Sequence, residues 1–133
     1  MRGILLASHG KLALGMKDTL EIFYGKIEQL DTLILEKDQS IVEFGDILRY
    51  KIDALDYGDG VTVFCDLAFG TPSNETARLL ANDCYKDRVT LVTGMNLPML
   101  LEYCESRKYD QDIKEVLEIG KQGIIDFNDR LKK

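Results

Sequence analysis

The chain has a single histidine among 133 residues, fewer basic than acidic side chains, and no long apolar run. Each shortage narrows what the protein can be. With 17 Lys and Arg against 23 Asp and Glu, the formal net charge is −6. Nothing therefore attracts the chain as a whole to nucleic-acid phosphates or anionic lipid, and neither is expected as a partner. A membrane-spanning helix needs roughly 20 apolar residues in a row, and no segment approaches that. The apolar run after Met1-Arg2 is also too short for the core of a signal peptide, so a cytoplasmic location is expected. Cys65, Cys84 and Cys104 are widely spaced, form no C-x-x-C pair and have one histidine to share, so no metal site is expected. They read as reduced, structural thiols, although Cys65 lies beside Asp66 in an apolar strand pattern. Low-complexity tracts and linkers are lacking as well. Residues 1–133 therefore read as one domain, with 45% hydrophobic content to build one core, and no cofactor is expected.

The chain is organised around its first ten residues. The apolar run Gly3-Ile4-Leu5-Leu6-Ala7 stops at Ser8-His9-Gly10, and Leu12, Met16, Leu20, Phe23 and Ile27 then recur at steps of three or four. That pattern predicts a buried strand, a tight turn and a helix. Asp31 to Leu35 follows as a second strand. Ser40-Ile41-Val42-Glu43 has the spacing of a capping box, and Ile41, Phe44, Leu48, Ile52 and Leu55 supply the apolar stripe of a second helix. After the turn Asp56-Tyr57-Gly58-Asp59-Gly60, the β-rich run Val61 to Cys65 ends on Asp66. In Leu67-Ala68-Phe69-Gly70-Thr71-Pro72-Ser73-Asn74, Thr71 suits a helix N-cap and Pro72 the first helical position. A fourth strand is predicted over Arg88 to Gly94, a helix from Leu97 through Cys104, and a last helix from about Gln111 to Gly120. Gly123 to Phe127 reads either as a short antiparallel edge strand or as a helical tail.

Strands that alternate with helices imply a doubly wound α/β fold with a mostly parallel four-stranded sheet. In the common order 2-1-3-4, winding reverses between the first and third strands, and their carboxyl ends frame the binding crevice. His9 and Asp66 stand at those two ends. Asp66 is placed to accept from His9 Nδ1–H, which leaves Nε2 as a nucleophile. Gly10, Gly70, Thr71 and Ser73 lie where backbone N–H groups at turns and a helix start can receive an anion, phosphate above all. A lone strand-end histidine is as readily structural, and an isolated G-T-P-S turn is more often only a well-capped helix. Together, histidine, aspartate and glycine-led turn point to phosphoryl chemistry on His9.

These residues resemble the IIA component of the mannose-type sugar phosphotransferase system. Ser8-His9-Gly10 resembles that family's phosphorylated-histidine motif, Asp66 to Asn74 its aspartate and small-residue loop, and Thr93-Gly94-Met95-Asn96-Leu97-Pro98-Met99-Leu100 its third loop. The resemblance implies a phosphocarrier. His9 would take a phosphoryl group from the histidine-containing phosphocarrier protein and hand it to the IIB component, which serves the membrane IIC and IID components. Asp66 would be the partner of His9, and Thr71 the hydroxyl residue near the phosphoryl group, where the family often has serine. The resemblance also implies a homodimer, with a tail strand that some members exchange between subunits. A phosphotransfer subunit of a dihydroxyacetone kinase and a non-catalytic binding module are the alternatives.

Overall fold

Gly3–His9 (β1), Leu30–Leu35 (β2), Val61–Cys65 (β3) and Val89–Val92 (β4) form strands in the computed structural model, which describes residues 1–132. These are the runs in which apolar or β-branched residues follow one another without helical spacing, the signature of strands buried on both faces. All pair in parallel, in the order β2-β1-β3-β4. The described residues divide into two compact units, Met1–Met95 and the segment from Asn96 onward. The sheet belongs to the first.

Alternation along β1 assigns the helices of that unit to opposite faces. Leu5 and Ala7 join Val61, Val63 and Cys65 of β3 in a buried cluster with Phe44, Leu48 and Ile52 of α2 (Ile41–Leu55) and Leu79 of α3 (Thr71–Leu80). Ile4, Leu6 and Ser8 have the other parity. Ser8 meets α1 (Leu12–Tyr24), accepting a hydrogen bond from Ala13 N–H at 2.8 Å. The chain thus winds in one direction through α1 and in the other through α2 and α3, and the reversal falls between β1 and β3. The expected doubly wound sheet is the one found.

One helix start agrees with expectation and one differs by a residue. Ser40 caps α2 as its sequence predicts, accepting from Glu43 N–H at 3.3 Å. At α3, however, Gly70 is the N-cap and Thr71 the first helical residue, so the expected cap lies one residue too late. Pro72 still fits, because proline is tolerated throughout a first helical turn where N–H groups have no intrahelical acceptor.

The second unit pairs α4 (Leu97–Ser106) with α5 (Ile113–Gln122). Asn96 links them, since its side chain accepts from Met99 N–H at 3.1 Å to cap α4 and donates to the Gly120 carbonyl at 2.9 Å. Of the tail, residues 124–126 are irregular and only Phe127–Arg130 is helical. Gly123 ends α5, and Asp126 caps α6 (Phe127–Arg130) by accepting from Asp129 N–H at 3.2 Å. The edge strand offered as one reading of Gly123 to Phe127 is therefore not formed, because a local Asp cap satisfies a helix start where a strand would need a neighbour. No helix among the described residues is long and apolar enough to cross a membrane.

Candidate active site

Strand register brings the two candidate catalytic residues together. Ala7 pairs with Cys65, so Asp66 stands level with Ser8 and one residue short of His9. From there its Oδ2 accepts the His9 backbone N–H at 3.0 Å and meets the ring Nδ1 at 2.9 Å, while Oδ1 accepts Leu67 N–H at 3.0 Å. Burial would raise the Asp66 pKa, but the His9 backbone and ring donors, the nearby imidazole and Leu67 N–H outweigh it and hold the carboxyl below its ordinary value. An ionised carboxylate can only accept. Nδ1 therefore carries a proton, so in the neutral ring the lone pair is on Nε2, which makes no hydrogen bond to any described residue.

The two side chains are unequally covered. The Asp66 carboxylate is 10% exposed and the His9 imidazole 42% exposed. The anchor is held in the protein and the ring it steers opens outward. This inequality matters because charge-assisted hydrogen bonds contribute about 1.5–3 kcal/mol when shielded, against about 0–1 kcal/mol for a freely exposed pair.

Gly70 forms one wall of the site. A β-carbon at this position would lie 2.5 Å from His9 Cε1 and 3.1 Å from Nε2, so only glycine lets the start of α3 approach the imidazole this closely. Thr71 follows as the first residue of α3. At a helix start the first N–H groups lack intrahelical partners and suit an anion. Ser73 is buried, and its hydroxyl donates to the Gly70 carbonyl at 3.0 Å, so its side chain braces the loop rather than facing out. On the other side, Gly10 turns the chain with φ +58° and donates its N–H to the Leu35 carbonyl at 2.8 Å. All six expected residues thus lie at the carboxyl ends of β1 and β3 and the start of α3. What each turn offers differs: Gly70 and Thr71 lead the helix beside the ring, whereas the Gly10 N–H is already engaged.

Three neighbours were not singled out from sequence. Ser8, fully buried, accepts from Ala13 N–H and donates to the Gly10 carbonyl at 3.0 Å, fixing the turn that carries His9. Lys11, at the N-cap of α1, makes no side-chain cap, and a serine four residues before the first helical residue is the available signal for a remote one. Asn74 donates to the Phe69 carbonyl at 3.3 Å and pins the other turn. Phe69 itself is left-handed, with φ +66°, and 91% exposed. A side chain in that conformation costs about 1–2 kcal/mol relative to glycine. Cys65 is inert by contrast. Burial pushes its thiol up to about 12 despite a hydrogen bond with Thr76, so no thiolate forms near neutral pH.

Fold and site together define a class: doubly wound α/β proteins that present a carboxylate-steered imidazole at the reversal point of a parallel sheet. Comparison with known proteins narrows it. The model of the EIIA-man family, described as the PTS system fructose IIA component, matches residues 3–120. The solved PTS IIA protein associated with the fucose utilization operon of Streptococcus pneumoniae is 33% identical, with TM-score 0.90, covering 98% of this chain and 96% of that one. The sorbose-specific EIIA component of Lacticaseibacillus casei is 29% identical over 74% of this chain and 69% of its own length. The mannose-specific EIIAB component of Escherichia coli K12 is 24% identical over 91% of this chain, which spans 38% of that longer protein. The chain belongs to the mannose-type EIIA family of the sugar phosphotransferase system. Components of this family are phosphotransferases that carry a phosphoryl group on histidine.

Proposed function

We propose that this chain is the phosphoryl carrier of a sugar phosphotransferase system. His9 Nε2 attacks the phosphorus of a phosphohistidine on the histidine-containing phosphocarrier protein. The new P–Nε2 bond forms as the donor P–N bond breaks, and the electron pair of that bond stays on the donor ring. No proton is exchanged, because His9 keeps its Nδ1–H throughout. Positive charge therefore develops on the His9 ring, and Asp66, already ionised at 2.9 Å, stabilises it without reorganising. In the onward transfer a nucleophile of the IIB component attacks the phosphorus, the P–Nε2 bond breaks with its electron pair left on Nε2, and IIC and IID are reached only through that component.

The observation that carries this reading is the contact of His9 Nδ1 with the Asp66 carboxylate at 2.9 Å, with Gly70 and the first turn of α3 beside Nε2. Thr71 and the N–H groups of Gly70, Thr71 and Ser73 are assigned to the phosphoryl oxygens, and Gly10 to holding the opposite turn. Such partners place the protein in the cytoplasm. The family match runs through both compact units, which supports one carrier domain over residues 1–133. A homodimer is part of the proposal, supported by the exposed apolar side chains Ile124, Phe127 and Leu131 in the tail. Light scattering at micromolar concentration should give twice the chain mass, and a monomer would remove the dimer alone.

Labelled phosphoenolpyruvate, with enzyme I and the phosphocarrier protein, tests the carrier function. One phosphoryl group per chain is expected, acid-labile and base-stable, and none in His9→Ala. Label that persists in His9→Ala would move the nucleophile elsewhere.

A further inference from the structure

Phe69 is placed as no folding requirement would place it. Its φ of +66° is the conformation glycine adopts freely, and its ring is 91% exposed, so the folded chain gains almost nothing from the side chain. The backbone has no freedom to escape, since Asn74 donates to the Phe69 carbonyl at 3.3 Å and the next residue, Gly70, lies against the His9 imidazole. Phe69 is therefore a strained, solvent-facing aromatic on the rim of the reacting ring. Leu67, 59% exposed in the same turn, and Leu12, 47% exposed at the start of α1, are further exposed apolar side chains in the segments that follow β3 and β1.

Taking the carrier function as given, any protein that delivers a phosphoryl group to Nε2 must bring its own histidine within bonding distance and cover this rim. We infer that Phe69 is a docking anchor for the phosphoryl-donor protein, a side chain whose apolar surface is buried only in the transfer complex. The occupant is the protein that delivers the phosphoryl group, since its own phosphohistidine must reach Nε2 past this turn. An exposed aromatic at the centre of a contact is the usual form of a binding hot spot. The strain belongs to the free protein, and the compensating burial belongs to the complex.

Transfer from the phosphorylated histidine-containing phosphocarrier protein, measured over a range of donor concentration, tests the assignment. Phe69→Gly and Phe69→Ala should raise KM for the donor about 10- to 100-fold, with a much smaller change in kcat. Phe69→Tyr should restore a KM near that of the unaltered chain. Because glycine relieves the left-handed backbone, Phe69→Gly should also unfold at a temperature equal to or a few degrees above that of the parent. A structural residue would not give weaker docking together with undiminished stability. A KM within about twofold of the parent in Phe69→Gly overturns the inference while leaving the carrier function intact, and so does a thermal midpoint that falls as KM rises. If the unaltered chain takes no phosphoryl group from the donor, the carrier function fails and this inference falls with it.

Discussion

The two edges of the parallel sheet each hold a carboxylate kept below its ordinary pKa, and they use it differently. At the amino edge, burial would raise Asp56, but the N–H groups of Gly58 and Gly60, with Arg88 and Arg2, prevail and lower it. Arg88 reaches Asp56 at 3.1 Å and Asp53 at 2.9 Å, and lies over the Tyr85 ring. Arg2 donates to the carbonyls of Asp59 and Val61 and to the hydroxyls of Thr62 and Thr90. The cations there are arginines, which stay charged at any ordinary pH. At the carboxyl edge Asp66 holds an imidazole, whose second nitrogen makes no hydrogen bond to any described residue. A depressed carboxylate therefore does not by itself mark a site. What marks it is a partner left with chemistry still to do.

Removing the carboxylate at each edge should separate the two roles. Asp66→Asn keeps the size but removes the charge and can hold the ring in the wrong tautomer. Phosphoryl transfer should slow by roughly two to four powers of ten while the chain stays folded, read by rapid-quench labelling and circular dichroism. Gly70→Ala should come next. Its methyl group would collide with the imidazole, displacing it by a fraction of an ångström or more, and transfer should fall on the order of a hundredfold. Asp56→Asn should do the reverse, lowering unfolding stability by about 1–3 kcal/mol in urea while kcat stays within a factor of about two. Were Asp56→Asn to slow transfer as much as Asp66→Asn, the contrast between the edges would collapse.

Acid provides a smaller test of the same contrast. Both aspartates have folded pKa values below their unfolded ones. Their stabilisation is thus complete above the unfolded value of about 3.9 and is lost as pH falls through the lower folded values. Urea midpoints should be flat from neutral pH down to about 5 and then drop, and the drop should be shallower in either Asn variant. A drop of unchanged steepness in both would mean that other carboxylates govern acid unfolding.

The sheet order and the pairing of His9 with Asp66 were readable from sequence because both rest on long-range regularities. Runs of apolar residues that alternate with helical stripes admit few windings, and the reversal point follows from the order. Details that depend on single backbone conformations were not. Thr71 has cap chemistry, yet Gly70 takes the cap because the chain must lie flat against the imidazole. The spacing puts Ser73 at the helix start, and nothing in it shows that the hydroxyl turns to the Gly70 carbonyl. The tail from Gly123 to Phe127 has strand composition, yet residues 124–126 are irregular and the Asp126 cap starts a short helix at Phe127. Phe69 carries no sequence signal of its left-handed backbone, since an aromatic residue is among the last expected there.

Nitrogen and phosphorus NMR of the phosphorylated chain tests the central claim most directly, because the chain contains one histidine and each form gives one set of signals. Before phosphorylation the ring should be the Nδ1–H tautomer, and afterwards the phosphorus should couple to Nε2 with Nδ1–H retained. A phosphoryl group on Nδ1, or an unphosphorylated ring in the Nε2–H form, would contradict the account, since Asp66 would then not be steering the nucleophile.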